Sequence, residues 1–161
     1  MAKKDKDMKT NVMRILDQAG IEYNHYCYAD TDAISGVEVA AAMGQPMERV
    51  FKTLVTQAGS KQYYVFVIPV DKELDLKKAA SSVHEKNIEM IKQKDLLPLT
   101  GYVHGGCSPI GMKKQFTTTF HESILSVDKV IFSAGKIGYQ VEVNPEALKQ
   151  IVNYAVADII K

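Results

Sequence analysis

The chain has 161 residues, 46% of them hydrophobic and 24% charged, which is ample for one buried core and ordinary for a globular domain. A formal charge of +1 excludes a protein that coats nucleic acid by bulk electrostatics, because such binding grows with the phosphates neutralised; any nucleic-acid contact is local. Two cysteines, Cys27 and Cys107, have no CxxC spacing and give neither a disulfide framework nor a zinc knuckle, so a reducing cytoplasm is expected, with no secretion signal and no membrane span.

Residues 1 to 9 read as a solvated tail. Val12, Ile15, Leu16 and Ala19 then recur at helical spacing until Gly20 offers a stop. IEYNHYCY at 21 to 28 reads as a strand, with Tyr23, Tyr26 and Tyr28 expected on one face, where they either line a pocket wall or serve core and cross-strand packing. Ser35 and Glu38 form an S-x-x-E capping box that opens a helix closed by Gly44. The runs at 49 to 56 and 62 to 70, joined by QAGSK, predict an antiparallel hairpin. The second run is apolar on both faces and belongs centrally in a sheet, with Pro69 at its end, where a donor can be spared. Asp75 caps a short helix bearing Leu76, Ala79, Ala80 and Val83. NIEMI reads as a short strand and the segment from 92 as a helical turn ending near Pro98. KQFTTTF, KVIFSAG and YQVEV read as three more strands. Asn144 and Pro145 then open a final helix expected to carry Leu148, Ile151, Val152, Ala155 and Ile159. Hairpins with helices at the start, middle and end predict an α+β fold: a single domain with a barrel-like mixed β-sheet flanked by helices.

The segment GYVHGGCSPIG at 101 to 111 has a different character. Four glycines and Pro109 surround His104, Cys107 and Ser108, a composition suited to neither a packed helix nor a central strand. The successive amides of Gly105, Gly106, Cys107 and Ser108 suit a carbonyl oxygen that gains charge, although a tight turn alone uses the same residues. Lys52 sits in the apolar run RVFKTLV. Pointing outward it is a plain edge residue, and pointing into a dry pocket it is a cationic clamp for an ester, phosphate or carboxylate. Cys107 with His104 is a candidate thiol nucleophile, with small-residue packing as the alternative. No histidine spacing suits a metal, and Lys113 and Lys114 stand where they can neutralise phosphates beside the loop.

In order along the chain, a first helix and a strand ending at Tyr28, then VFKTLV, LDLKKAA, TGYVHGGCSPIG and FSAGKIG resemble the YbaK/EbsC-type aminoacyl-tRNA deacylases. These are stand-alone relatives of the editing domain of bacterial prolyl-tRNA synthetases. The resemblance covers about residues 10 to 160 and implies one deacylase domain that hydrolyses the ester of a mischarged tRNA at its 3′ end. Cysteine on tRNA for proline is the implied substrate, with no cofactor and with prolyl-tRNA synthetase as a possible partner. It further implies that Lys52 is essential, that the loop from Gly105 to Pro109 holds the substrate, and that Tyr28 and Ser133 line the pocket. The substrate's own thiol is then the implied attacking group, leaving as a cyclic thiolactone.

One position departs from the family pattern: Gln140 stands where an aspartate is expected, so the α-amino group meets a neutral amide. The resemblance leaves removal of alanine from tRNA for proline by water as the alternative within the family. The residues leave two more functions open, a tRNA- or synthetase-binding module without catalysis and a thiol hydrolase using Cys107.

Overall fold

The computed structural model describes residues 9–161. The expected tail therefore lies outside the described residues except for Lys9, whose ammonium meets the Asp17 carboxylate at 2.6 Å. Helix α1 (Asn11–Gln18) starts where the Thr10 side chain accepts from the Met13 amide, and it buries Val12, Met13 and Leu16. Strand β1 (Tyr23–Cys27) follows, then α2 (Gly36–Ala42), whose capping box is complete in both directions between Ser35 and Glu38.

Strands β2 (Phe51–Ala58) and β3 (Tyr63–Pro69) form the expected hairpin, with Phe51 opposite Pro69 and Gln57 opposite Tyr63. Helix α3 (Leu76–Ser82) is capped by Asp75, and β4 (Ile88–Met90) adds to the free edge of β2. Helix α4 (Gln93–Thr100) runs two residues past Pro98, further than the sequence predicts. The carbonyl that loses its donor to Pro98 belongs to Lys94, which is exposed and open to water. The chain continues through β5 (Thr117–His121), β6 (Val130–Ser133) and β7 (Tyr139–Val143).

The C-terminal segment departs most from expectation. Helix α5 (Pro145–Leu148) is one turn long, and Tyr154–Ala157 forms β8, parallel to β5. Val152, Ala155 and Ile159 satisfy a helical period, but β5 presents an open edge whose backbone groups need partners. Tyr154 seals the choice by packing its ring, tilted by 51°, against Phe120 at 4.7 Å between ring centres, and by donating its hydroxyl to the Pro145 carbonyl.

Among the described residues the strands make two sheets, ordered β1-β7-β6 and β4-β2-β3-β5-β8. They do not close into the barrel anticipated from the sequence. A single parallel bridge, Val50 to Ile131, joins β2 to β6. The main core lies between the sheets, with Val65, Val67 and Phe120 from one facing Phe132 and Val141 from the other. On the opposite face of β3, Phe66 and Ile68 pack with Ala79 of α3 and Ile159. Strand β3 is thus buried on both sides, as its continuous apolar run predicts, and each such large side chain stabilises by about 1.5–3 kcal/mol.

Candidate functional site

The two sheets separate just beyond the bridge, and the separation makes a cavity of about 460 Å³, within the roughly 300–1,000 Å³ typical of small-molecule sites. Lys52 on β2 and Ser133 on β6 each stand two residues past the bridging pair. Alternation along parallel strands therefore puts both on the side of Val50 and Ile131, one on each lip of the opening. Lys52 is half-buried, lines the cavity, and has no hydrogen-bonding or ionic partner among the described residues. The outward reading of this lysine is therefore set aside.

Gln140 on β7 lies directly across from Ser133 and from Tyr26, so these three share one face of the small sheet. Tyr28 continues that face into the cavity, where its amide is tied to the Gly138 carbonyl at 2.8 Å. Tyr23 does not belong to this wall. It is three residues from Tyr26, hence on the opposite face, where it packs against the main core and meets His25. Ser133 Oγ accepts from the Gly135 amide at 3.1 Å, which sets the turn carrying β6 into β7. Gln140 is buried and its amide pairs with Gln45.

The glycine loop forms the remaining wall. Gly101 ends α4 in the left-handed region at φ 88°, and the Tyr102 amide is taken by the Thr100 hydroxyl. The Tyr102 hydroxyl donates to the Ile110 carbonyl, and Ser108 Oγ accepts from the Ile110 amide. Tyr102, Cys107 and Ile110 all root the loop in the main core. Gly105, at φ 88°, reaches the cavity together with His104 and Cys107. Gly106 is needed for close approach: a Cβ there would stand 3.0 Å from the Ile137 nitrogen and 3.3 Å from the Lys136 carbonyl carbon. Its amide donates to the Val103 carbonyl at 3.0 Å and so points within the loop. The amides of Gly105 and Cys107 remain unbonded among the described residues.

Of the residues singled out from the sequence, the fold gathers Tyr28, Lys52, Gly105, Cys107, Ser133 and Gln140 around the cavity. Gly106, Ser108 and Pro109 are buried behind it as the loop's frame, and Lys113 and Lys114 are exposed outside it. Sequence reasoning missed Thr53, whose hydroxyl is buried without a partner among the described residues while the residue lines the cavity. The signal was available, since a threonine beside Lys52 in an apolar strand leaves a hydroxyl to satisfy. Gln45 was missed too, because only the fold brings it to Gln140.

The electrostatics of the cavity are one-sided. Lys52, Lys92 and His104 line it, and among the described residues no aspartate or glutamate does. Burial pushes the Cys107 thiol up to about 12, so it stays protonated at neutral pH, with neither a base nor a cation lowering it. Tyr102 is likewise raised to about 12, by burial first and then by Cys107. Ile34, Val37 and Met90 make an apolar mouth. Such a site suits a carbonyl-bearing or anionic group, and its cysteine is not a thiolate. Among the described residues, no three of His, Cys, Asp or Glu come together as metal ligands.

Residues 31–151 match the model of the aminoacyl-tRNA editing domain. The chain belongs to that family. A relative from Enterococcus faecalis, named a Cys-tRNA(Pro)/Cys-tRNA(Cys) deacylase, EbsC, is 46% identical over 160 residues, covering 99% of this chain and 98% of its own. Among solved structures, one described as a trans-editing enzyme for prolyl tRNA synthetase superposes with a TM-score of 0.81 at 22% identity, covering 96% of this chain and 99% of that one. The hypothetical protein APE2540 gives a TM-score of 0.85 at 22% identity over 94% and 100%. At these identities the structural neighbours establish the fold, and the editing-domain fold is mixed α+β with two open sheets, as here.

Proposed function

We propose that residues 10–161 form a trans-editing deacylase domain that cleaves the ester joining cysteine to the 3′ end of tRNA for proline. The observation that carries this reading is a cavity with a cation, free amides and neutral polar groups but, among the described residues, no carboxylate and no thiol ionised at neutral pH. Such a pocket suits a substrate that brings its own nucleophile. The cysteine thiol attacks the ester carbonyl, a carbon–sulfur bond forms, the bond to the ribose oxygen breaks, and that oxygen takes the proton as tRNA leaves. The free amides of Gly105 and Cys107 receive the carbonyl oxygen as it gains charge, and Lys52 clamps the same end of the substrate. Tyr28 and Ser133 close the walls that fold the aminoacyl group into a near-attack shape, and Gln140 meets its amino group. Lys113 and Lys114, exposed beyond the loop, take phosphates of the tRNA end.

A second site for cysteine has a physical reason. Cysteine and proline differ too little in size for one apolar pocket to separate them by more than about 1–3 kcal/mol, so errors need removal afterwards. We further propose that the protein works in the cytoplasm beside prolyl-tRNA synthetase. This is in keeping with two free cysteines and with the lack, among the described residues, of a helix long and apolar enough to cross a membrane. One observation favours a second reading: His104 lines the cavity and can take a proton from water, the attack that an alanyl ester would need.

The test is hydrolysis of cysteinyl-tRNA and alanyl-tRNA, both on tRNA for proline, by wild type and by Lys52→Ala under reducing conditions. Loss of cysteine alone, at least about a hundredfold slower in Lys52→Ala, is the expected result. Loss of alanine moves the attack to water, and cleavage of neither overturns the deacylase reading.

A further inference from the structure

The deacylase reading leaves unexplained why the buried Gln140 of the cavity wall is paired with the half-buried Gln45 behind it. Gln140 sits on β7 and lines the cavity, whereas Gln45 follows α2 and does not. Their side-chain amides bond reciprocally: Gln45 Nε2 donates to Gln140 Oε1 at 2.9 Å, and Gln140 Nε2 donates back to Gln45 Oε1 at 3.4 Å. Gln45 is itself fixed by its backbone, its amide donating to the Ala40 carbonyl at the end of α2 at 2.9 Å. A primary amide carries two N–H donors and two lone pairs. The reciprocal pair consumes one donor and one lone pair of Gln140, and leaves one of each in a fixed direction.

We propose that Gln45 is a positioning residue that acts through Gln140, and that the pair makes the cavity select the substrate's α-amino group in its uncharged form. This rests on the deacylase reading above and deepens it. An uncharged amine both donates and accepts, so it can use the donor and the lone pair that remain on Gln140. An ammonium brings only donors and a charge that must leave water. The titratable groups that line the cavity offer it no acid: among the described residues they are Tyr28, Lys52, Lys92, His104 and Cys107. The carboxylates on the elements that carry the pair are engaged elsewhere. Glu142, on the same strand, accepts from Asn24 and Tyr26, and Glu38 of α2 accepts from the amides of Ile34 and Ser35. A second cation in a cavity already lined by Lys52 and by no carboxylate among the described residues is unfavourable.

The experiment is steady-state hydrolysis of cysteinyl-tRNA for proline by the full chain, for wild type, Gln45→Leu, Gln140→Leu and the double variant. If Gln45 acts through Gln140, each single change raises KM about tenfold, and the double variant is no worse than either single one. Losses that multiply in the double variant, or a Gln45→Leu enzyme equal to wild type, overturn the proposal. The nearly isosteric Gln45→Glu decides the matter if the leucine variant does not fold. A carboxylate behind Gln140 favours the ammonium, so the acidic limb of kcat/KM moves to lower pH; a limb that stays in place while Tm changes means that Gln45 is structural only. Failure of wild type to cleave the substrate sinks the deacylase reading and this inference together, and is seen before any variant is made.

Discussion

Two clusters of similar residue types behave in opposite ways in this molecule. At the far edge of the large sheet, Ser123, His121 and Asp158 line up in the order of a catalytic triad. His121 Nδ1 lies 2.9 Å from Ser123 Oγ, and Nε2 lies 3.5 Å from Asp158 Oδ1. Every partner there is already engaged. Nδ1 also accepts from the Ser123 amide at 3.2 Å, which caps the short 3₁₀ turn after β5, and Asp158 takes Lys78 at 3.1 Å. Lys78 in turn donates to the Ile160 carbonyl. None of these residues lines the cavity. In the cavity no triad exists, yet Lys52, the Thr53 hydroxyl and the amides of Gly105 and Cys107 lack partners among the described residues. Unspent bonding capacity in a shaped space is what singles out the candidate site, and a familiar residue order is not.

The comparison breaks most visibly at the loop. Lys52→Ala, the largest effect of all, removes a group that the fold does not use, so Tm is expected to stay within about 2–4 °C of wild type. Gly106→Ala acts by geometry instead. A methyl group 3.0 Å from the Ile137 nitrogen pushes the loop off the turn that carries β6 into β7, and displaces the amides on either side. A shift of this kind is expected to lower kcat/KM by about ten- to a hundredfold, with a fall of some degrees in Tm. Deacylation assays beside thermal melts check both. Unchanged activity would mean that the loop does not hold the reacting carbonyl.

A smaller effect is expected at Cys107. Its thiol stays protonated because burial raises it to about 12, so it cannot serve as the nucleophile at neutral pH. Cys107→Ala removes only packing volume beside the substrate and is expected to lower kcat/KM about two- to fivefold, a loss within the range of a truncated buried side chain. A loss of several orders of magnitude would restore the thiol-hydrolase reading that the sequence leaves open.

Much of this site was legible before folding, and what was hidden has physical reasons. The glycine loop and Lys52 stand out because each is costly where it lies: glycines sacrifice chain entropy and a lysine interrupts an apolar strand. Capping signals were local and therefore readable, as at Ser35 and Glu38. The misread C-terminal segment depended on an edge of β5 more than thirty residues upstream, which no local period reports. The same holds for Gln45, which meets Gln140 across 95 residues of chain. The loop's composition also overstated its contribution. It announced a row of four amides, but Gly106 spends its own on Val103, and only the folded turn reveals that.

The smallest expected effect sharpens the comparison from the other side. The Lys78 hydrogen bond, with the Lys78 charge, the Ile160 backbone bond and the His121 charge behind it, outweighs burial and holds the Asp158 carboxyl below its ordinary value. A folded-state pKa below the unfolded one contributes stability that is fully present above the unfolded value. That contribution is lost as pH falls through the folded value, in the acid range of an aspartate. Asp158→Asn is therefore expected to reduce the steepness with which Tm falls in acid, to lower Tm slightly at neutral pH, and to leave deacylation unchanged. Tm measured from neutral to acid pH for the two proteins checks the slope, and a single assay checks activity. If Asp158→Asn instead slows hydrolysis as Lys52→Ala does, the Ser123–His121–Asp158 cluster is chemical after all, and the division between saturated and unspent groups fails as a guide to where this molecule works.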